Sequence, residues 1–246
     1  MPDRRSHVNE PEGGDPLREA IEDVVVRATS AAAEGRPAVA ALNPEAGSHA
    51  VTSDPRELRA AIDAGERTRR RFVYYERRYG ERGQRFTHSD SAWIVTLAGR
   101  PPGVAEGQLR WLGALLAARG MPRWLLEEHL EVLHDELVAA VPEKRSDYDE
   151  LLRIATLFRD ERRSHLDETT SSEVAQAFHR RVGSTAAAEL PEAGALLVAA
   201  VAEERVGLAG VVDSLMQWLA DPARFPAGWV AAATEAIATA RQLART

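Results

Sequence analysis

The sequence contains no cysteine and a single lysine, Lys144. The lack of cysteine excludes disulfides, thiol nucleophiles, thiolate metal sites and iron–sulfur clusters, and we expect a cytoplasmic protein. One lysine disfavours Schiff-base chemistry and a phosphate-loop lysine, and the glycine-rich loops that would need one are missing too. The sequence also shows no catalytic cluster and no metal-ligand spacing, so we predict no catalytic residue, no metal site and no bound cofactor.

Long apolar runs are also missing. The longest, Ala193 to Ala202, is far shorter than the roughly 18 residues needed to cross a bilayer, so we expect no membrane association. Residues 1–15 are polar and lack the apolar region of a signal peptide, which predicts a disordered tail. The net charge of −7 argues against a generic nucleic-acid binder.

What is present favours helices. The chain is 44% hydrophobic and rich in alanine, leucine, valine, arginine and glutamate, most of which are good helix formers. Runs of alternating β-branched residues, which would predict strands, do not occur. We predict an all-α fold, a helical bundle of about nine to eleven helices.

Proline and glycine mark the expected helix limits. Asp54-Pro55 predicts a helix start with a carboxylate cap, and that helix should run to about Tyr79 and stop at Gly80. Ser89 or Asp90 is expected to cap a short helix that carries Trp93, and the segment from Gly35 to Ser53 is expected to be a loop.

The chain divides most naturally near Pro142 to Asp147. We predict an N-terminal helical unit over 16–142 and a C-terminal unit over 146–246, as one domain or two. Each holds a tryptophan before and after a proline that starts a helix, which suggests an internal repeat. The four tryptophans concerned are predicted to be largely buried: Trp111, Trp124, Trp218 and Trp229.

The segment Leu112 to Pro122 resembles the end of the proximal helix of globins. A Leu-Gly pair is followed three residues later by Leu116 and four residues after that by Gly120. The residue at the Leu116 position in haem globins is the histidine that binds iron. The resemblance covers about 30 residues, and it implies a globin-like fold without the proximal histidine, a haem-free sensory or regulatory domain.

A ligand site is predicted around the same segment. Trp93, Trp111, Leu116 and His129 are expected to line an apolar pocket for a small apolar ligand. His129 and His88 are the histidines that could replace the missing iron ligand, which leaves a tetrapyrrole-binding sensor as a further alternative. The leading hypothesis is a non-enzymatic cytoplasmic sensory, regulatory or protein-interaction domain, with an unidentified protein partner or apolar ligand.

An arginine-rich segment supports a different hypothesis. Glu66 to Arg85 holds eight arginines interleaved with aromatic residues, a combination that can bind phosphate and stack on bases. The alternative function is arginine-dependent binding of nucleic acid or of a phosphorylated ligand. Its expected phosphate-binding residues are Arg69, Arg70, Arg71, Arg77 and Arg78.

Two further patterns are expected to have no chemical role. Glu131 and His134 have the spacing of a carboxylate–histidine metal motif, but the pair has no second copy and is predicted to point outward. Ser89 and Ser91 lie beside His88 and Asp90, but neighbouring side chains point apart, so no triad is predicted.

Overall fold

A computed structural model describes residues 16–101 and 103–244. This part of the chain contains α-helices, one short 3-10 helix at Pro142–Lys144 and no strand, so the predicted all-α bundle is confirmed. The α-helices are α1 (Pro16–Ala33), α2 (Val39–Leu42), α3 (Pro55–Arg71), α4 (Val73–Val95), α5 (Val104–Ala118), α6 (Arg123–Ala140), α7 (Arg145–His165), α8 (Glu168–Val182), α9 (Ser184–Glu189), α10 (Ala193–Val206), α11 (Val211–Leu219) and α12 (Ala227–Leu243).

The twelve α-helices of the described residues exceed the nine to eleven predicted. The surplus comes from short helices, since α2 has four residues and α9 has six. Helices of one or two turns are too short to show a hydrophobic period. No helix in the described ranges is long and apolar enough to pass through a membrane.

The first hydrophobic cluster is formed by α1 to α7. Helix α3 lies at its centre and contacts α1, α4 and α6. It starts at the predicted place because the Asp54 carboxylate accepts a hydrogen bond of 2.8 Å from the Arg56 backbone N–H. The side chains of Leu58 and Ile62 lie on one face of this helix, and both are completely buried.

The second cluster is formed mainly by α8, α10, α11 and α12. Helix α10 is apolar on most sides and contacts all three of the others, as expected of a helix surrounded by protein. Aromatic rings fill the space beside it. Phe225 stacks on Trp229 with ring centres 4.8 Å apart, and both Phe178 and Trp218 pack edge-on against this pair.

The prediction that one helix runs from Pro55 to Tyr79 is wrong. The helix ends at Arg71, and α4 begins at Val73 after Phe72 adopts an extended conformation. The Phe72 side chain is buried in the second cluster, whereas α3 belongs to the first, so the chain leaves the helical path to place this ring. The predicted break at Gly80 is confirmed, because this residue is non-helical, with a φ of 53° and a ψ of −149°, and divides α4 at a kink.

The expected short helix at Ser89 is also absent. Ser89 and Asp90 lie inside α4, and the Ser89 hydroxyl donates a hydrogen bond to the Phe86 carbonyl one turn earlier. The side chains that resembled a helix cap therefore occupy interior positions of a long helix. This places Asp90 on the side of α4 that faces the cavity described below.

The burial of Trp111 is wrongly predicted. Its side chain is 59% exposed, whereas Trp218 and Trp229 are buried and Trp124 is partly buried. The two tryptophans of the N-terminal unit also have different neighbours, because Trp111 packs on Trp93 and Trp124 packs on Phe72. The ring cluster around Trp218 and Trp229 has no counterpart in the N-terminal unit, and the structure does not support an internal repeat.

The change from the first hydrophobic cluster to the second does not coincide with the boundary predicted near residues 142–147. Tyr148, Ile154 and Phe158 of α7 follow the boundary in sequence but lie in the first cluster. Conversely, Tyr74 and Leu125 precede it and lie in the second cluster. The two parts of the chain therefore exchange core residues.

Two glutamates of the C-terminal part cap helices of the N-terminal part. Neither α4 nor α6 has a side-chain cap of its own. Glu203 of α10 accepts hydrogen bonds from the first backbone N–H groups of α6, at 2.6 Å from Arg123 and 2.7 Å from Trp124. Glu192 accepts the backbone N–H of Tyr74 at the start of α4. These carboxylates satisfy donors that a helix start leaves free.

Candidate functional site

Two adjoining cavities lie beside α4 and α5, where α6 lines the larger one and the segment with Glu45 and His49 lines the smaller one. The larger has a volume of about 550 Å³ and the smaller a volume of about 390 Å³. Both are lined by the same five residues where they meet: Phe86, Asp90, Leu112, Leu116 and Arg119. These volumes are in the range of small-molecule sites in proteins.

The turn between α5 and α6 forms one wall of the larger cavity. Gly120 has a φ of 80° and ends α5, and its carbonyl accepts a hydrogen bond from the Tyr74 hydroxyl. The Tyr79 hydroxyl donates to the Arg119 carbonyl at 2.9 Å. Phenols of α4 therefore hold the carbonyls at the end of α5, and this fixes the backbone of Arg119 beside α4.

Asp90 is the unusual polar group of the site. Its side chain is half-buried and lines both cavities, and it makes no hydrogen bond or ion pair with any described residue. Burial raises the pKa of this carboxyl to about 6, and the positive charge of Arg119 partly opposes that rise. Asp90 is therefore mostly ionised at neutral pH, and its carboxylate has no partner within the described protein.

Arg119 provides the opposite charge. It lies just after α5, is exposed, and its guanidinium bonds to no described side chain. Its field lowers the pKa of Asp90, although the two groups do not form an ion pair. The junction of the cavities therefore presents a free carboxylate and a free guanidinium to the same space.

Phenols complete the polar part of the larger cavity. Burial raises the pKa of Tyr75 well above its usual value, and the charge of Asp90 adds to the shift. Burial also raises the pKa of Tyr79. Both phenols therefore keep their protons, and the Tyr75 hydroxyl makes no hydrogen bond with a described residue. It is a potential donor to a bound molecule.

His129 lies in the wall of the larger cavity with both ring nitrogens engaged. Its Nδ1 is 3.0 Å from the Thr68 hydroxyl and its Nε2 is 2.8 Å from the Ser91 hydroxyl. Ser91 also donates to the Thr87 carbonyl at 2.6 Å, so its oxygen accepts from the histidine N–H and Thr68 donates to Nδ1. Burial lowers the pKa of His129 to about 4. The ring is thus a neutral link between α3, α4 and α6.

The Ser91–His129 pair lacks the arrangement of a nucleophile and its base. The serine proton is directed at a backbone carbonyl, and the other ring nitrogen meets a hydroxyl where a triad has a carboxylate. With a pKa near 4, the histidine is also a weak base at neutral pH. These hydrogen bonds account for both side chains as parts of the packing between helices.

The smaller cavity has an aromatic wall with one unpartnered nitrogen. Trp93 and Trp111 pack edge to face with ring centres 6.4 Å apart, and His49 packs against Trp93 at the same distance. The Nε2 atom of His49 is buried and has no hydrogen-bond partner among the described residues. A ligand in this cavity would meet aromatic faces and one imidazole nitrogen.

The four residues predicted to line a pocket are distributed over these two cavities. Trp93 and Trp111 line the smaller one, His129 lines the larger, and Leu116 lines both. Asp90 was predicted from the sequence only as a possible helix cap and not as a site residue. Phe86, Asp90 and Trp93 follow one another at helical spacing, and this would have placed Asp90 on an aromatic face had the part of α4 that follows Gly80 been recognised as one helix.

Most of the predicted phosphate-binding arginines have protein partners. Arg69 pairs with Glu66 and Glu76, Arg71 pairs with Glu128, and Arg77 pairs with Glu189. Arg78 bonds the Tyr74 hydroxyl and the carbonyls of Gly120 and Ser214, whereas Arg70 is exposed. The five guanidiniums are thus mostly used to join helices.

Two histidines differ in their surroundings from simple surface residues. His134 was predicted to point outward, but it is buried and its Nε2 lies 3.0 Å from an Asp149 oxygen, because α7 packs over that face of α6. The Nε2 atom of His88 lies 2.9 Å from the Oε1 atom of Glu66. Across the described ranges, no group of three or more potential ligands is placed to hold a metal ion.

A further cavity of about 540 Å³ lies between α1, α2, α3 and α4. Its polar residues Glu66, Gln84 and His88 already hydrogen-bond to one another. Glu66 is the one carboxylate among its described lining residues, so this cavity lacks a free carboxylate like that of Asp90. Comparisons of the chain with protein-family models, curated proteins and solved structures found no match.

Proposed function

We propose that this protein is a non-enzymatic sensory or regulatory domain that binds a small, mainly apolar molecule in the two adjoining cavities beside α4 and α5. The observation that carries the proposal is the junction of the cavities, where Asp90 and Arg119 are both free in a largely apolar wall. An unpaired carboxylate in such a place is unfavourable unless a partner arrives. A ligand that supplies the partner would gain affinity from it.

The hydrogen bonds around His129 support a non-catalytic role. The imidazole and the Ser91 hydroxyl are held in directions that join helices and do not activate a nucleophile. The haem-free part of the proposal is supported by the same contacts, because both nitrogens of His129 and the Nε2 of His88 are used within the protein. A cytoplasmic location and the globin likeness remain predictions from the sequence.

Binding of an uncharged fluorescent probe tests the proposal. N-phenyl-1-naphthylamine becomes bright in apolar cavities, and its lack of charge makes the test independent of Asp90 and Arg119. We expect saturable binding to the native protein. Leu116 lines both cavities, so Leu116→Trp should fill them and weaken binding at least tenfold, with the probe excited directly to avoid energy transfer from tryptophan.

Leu152→Trp is the matched control. Leu152 is 37% exposed on α7 and lines neither cavity, so this variant should bind the probe like the native protein. Equal binding to both variants would place the probe elsewhere and contradict the proposal. A Soret band after incubation with haem would contradict the haem-free part and would favour a tetrapyrrole sensor.

A further inference from the structure

The charges around the junction of the cavities are not equivalent. Arg82 lines the larger cavity but pairs with Glu45 at 2.8 Å. Arg78 lines it too, but its guanidinium is held by the Tyr74 hydroxyl and by backbone carbonyls. Among the described lining residues, Arg119 is therefore the guanidinium left to bind an anion, and Asp90 is the carboxylate left to bind a cation.

The two free groups lie on different helices and face one space. Asp90 belongs to α4 and Arg119 follows the end of α5, and both line both cavities. They are close enough for Arg119 to affect the pKa of Asp90, yet too far apart for an ion pair. A small molecule with one positive and one negative group close together would bridge this gap.

We infer that the ligand is an α-amino acid with a large apolar side chain, its ammonium group bound by Asp90 and its carboxylate by Arg119. This inference rests on the proposed function. An arginine fork matches a carboxylate in two parallel hydrogen bonds, and a free carboxylate accepts from an ammonium group. The apolar side chain enters the cavity between Leu112 and Leu116, where apolar groups surround it.

Ligands with one charge fit the site less well. A simple carboxylic acid would bind Arg119 but would bring its negative charge close to Asp90. A simple amine would bind Asp90 and would leave Arg119 without a partner while adding a second positive charge nearby. An amino acid satisfies both groups, so each of its charges should contribute to binding.

Isothermal titration calorimetry with phenylalanine derivatives tests the inference. We expect L-phenylalanine, L-tryptophan or L-leucine to bind. L-phenylalanine methyl ester lacks the carboxylate and N-acetyl-L-phenylalanine lacks the positive charge, and each should bind at least tenfold more weakly than L-phenylalanine. Equal affinity of the acid and either derivative would overturn the inference.

Two variants assign each charge to its partner. Asp90→Asn should weaken the binding of L-phenylalanine at least tenfold, and in this variant N-acetylation of the ligand should cost less affinity than in the native protein. In Arg119→Gln, esterification of the ligand carboxylate should cost less affinity than in the native protein. Neither side chain makes a bond to a described residue, so both variants should keep the native circular dichroism spectrum and bind N-phenyl-1-naphthylamine. If the two ligand modifications cost as much affinity in both variants as in the native protein, the assignment is overturned.

The outcomes separate this inference from the proposed function. If the uncharged probe binds and none of the three amino acids does, the inference is wrong and the cavity proposal stands. If neither the probe nor an amino acid binds, both are wrong. If an amino acid binds but Leu116→Trp does not weaken it, the amino acid lies outside the cavities and the inference is again overturned.

Discussion

Several buried carboxylates of this protein are held by specific partners. The buried Glu57 carboxylate accepts hydrogen bonds from Lys144 and from the Tyr148 hydroxyl, both at 2.7 Å. Burial alone would raise the pKa of Glu66, but hydrogen bonds from His88 and a neighbouring amide outweigh it and lower that pKa to about 2. By contrast, the Asp90 carboxylate lines the cavities without a partner, so a bound ligand could satisfy it.

Titration of His129 should make the stability of the protein depend on pH. The histidine has a pKa of about 4 in the folded protein and 6.5 in the unfolded chain. As the pH falls, His129 therefore binds a proton in the unfolded chain before it does so in the folded protein. The contribution of the neutral ring to the stability of the folded protein is present above pH 6.5 and is lost as the pH falls toward 4. Between pH 7 and pH 5 the loss is about 2 kcal/mol.

Comparison with His129→Gln isolates this effect. The variant should be less stable than the native protein at pH 7, because it loses the links to Thr68 and Ser91. The difference in the free energy of unfolding, measured in urea, should shrink by about 2 kcal/mol at pH 5. A difference that stays constant would mean that His129 titrates alike in the folded and unfolded states.

At the scale of elements, α8 and α10 pack closely at Gly194, where the helix surface has no side chain. A Cβ atom added at Gly194 of α10 would lie 2.7 Å from the backbone carbonyl oxygen of Ala175 in α8. A backbone atom in a packed helix cannot move away as a flexible side chain can. The glycine therefore sets the distance between two helices of the second cluster.

Gly194→Ala should force these helices apart and destabilise the protein by about 1–3 kcal/mol, as overpacking does in other cores. Gly107→Ala is the matched control, because Gly107 lies within α5, is exposed, and has open space where the Cβ would go. That variant should gain about 0.5–1 kcal/mol from helix propensity. Thermal unfolding followed by circular dichroism checks both, and a neutral Gly194→Ala would show that α8 and α10 are free to separate.

At the scale of the whole molecule, capping across the two clusters joins the N-terminal and C-terminal parts. Glu203 of α10 is fully buried and accepts two backbone N–H groups of α6, the helix that carries His129. Burial raises the pKa of Glu203 to about 7, with those hydrogen bonds opposing the rise. The wall of the larger cavity thus depends on a residue of the other cluster.

Glu203→Ala should destabilise the protein by about 3 kcal/mol, because it leaves the N–H groups of Arg123 and Trp124 buried without acceptors. The neighbouring Glu204 pairs with Arg241 in a partly exposed ion pair, and Glu204→Ala should cost less than about 1 kcal/mol. Urea unfolding of the two variants makes the comparison. Equal losses would mean that the α6 cap contributes little.

The pH dependence of this cap has the opposite sign to that of His129. The Glu203 pKa is raised on folding, so its stabilising contribution is present below pH 4.5 and is lost as pH rises toward 7. Glu203→Gln removes this titration. The variant should therefore be most destabilised, relative to the native protein, near pH 5 and least near pH 8, and the reverse order would contradict the assigned pKa.

The sequence by itself determined the all-α fold and several helix limits. The start at Asp54-Pro55 and the burial of Trp218 and Trp229 were predictable because caps and apolar spacing act within a few residues of the chain. The region of the cavities was also predictable in part, since Leu116 and His129 lie on adjacent helices and both line the larger one.

Only the tertiary structure decided the polar groups of the site. Asp90 faces a cavity because α4 continues through a segment that local signals end, and His134 is buried because α7 covers it. Glu203 caps a helix whose first residue, Arg123, is 80 residues away in the chain. Such contacts depend on how whole helices pack, and no short window of sequence contains both partners, so the charges that select a ligand emerge only in the folded protein.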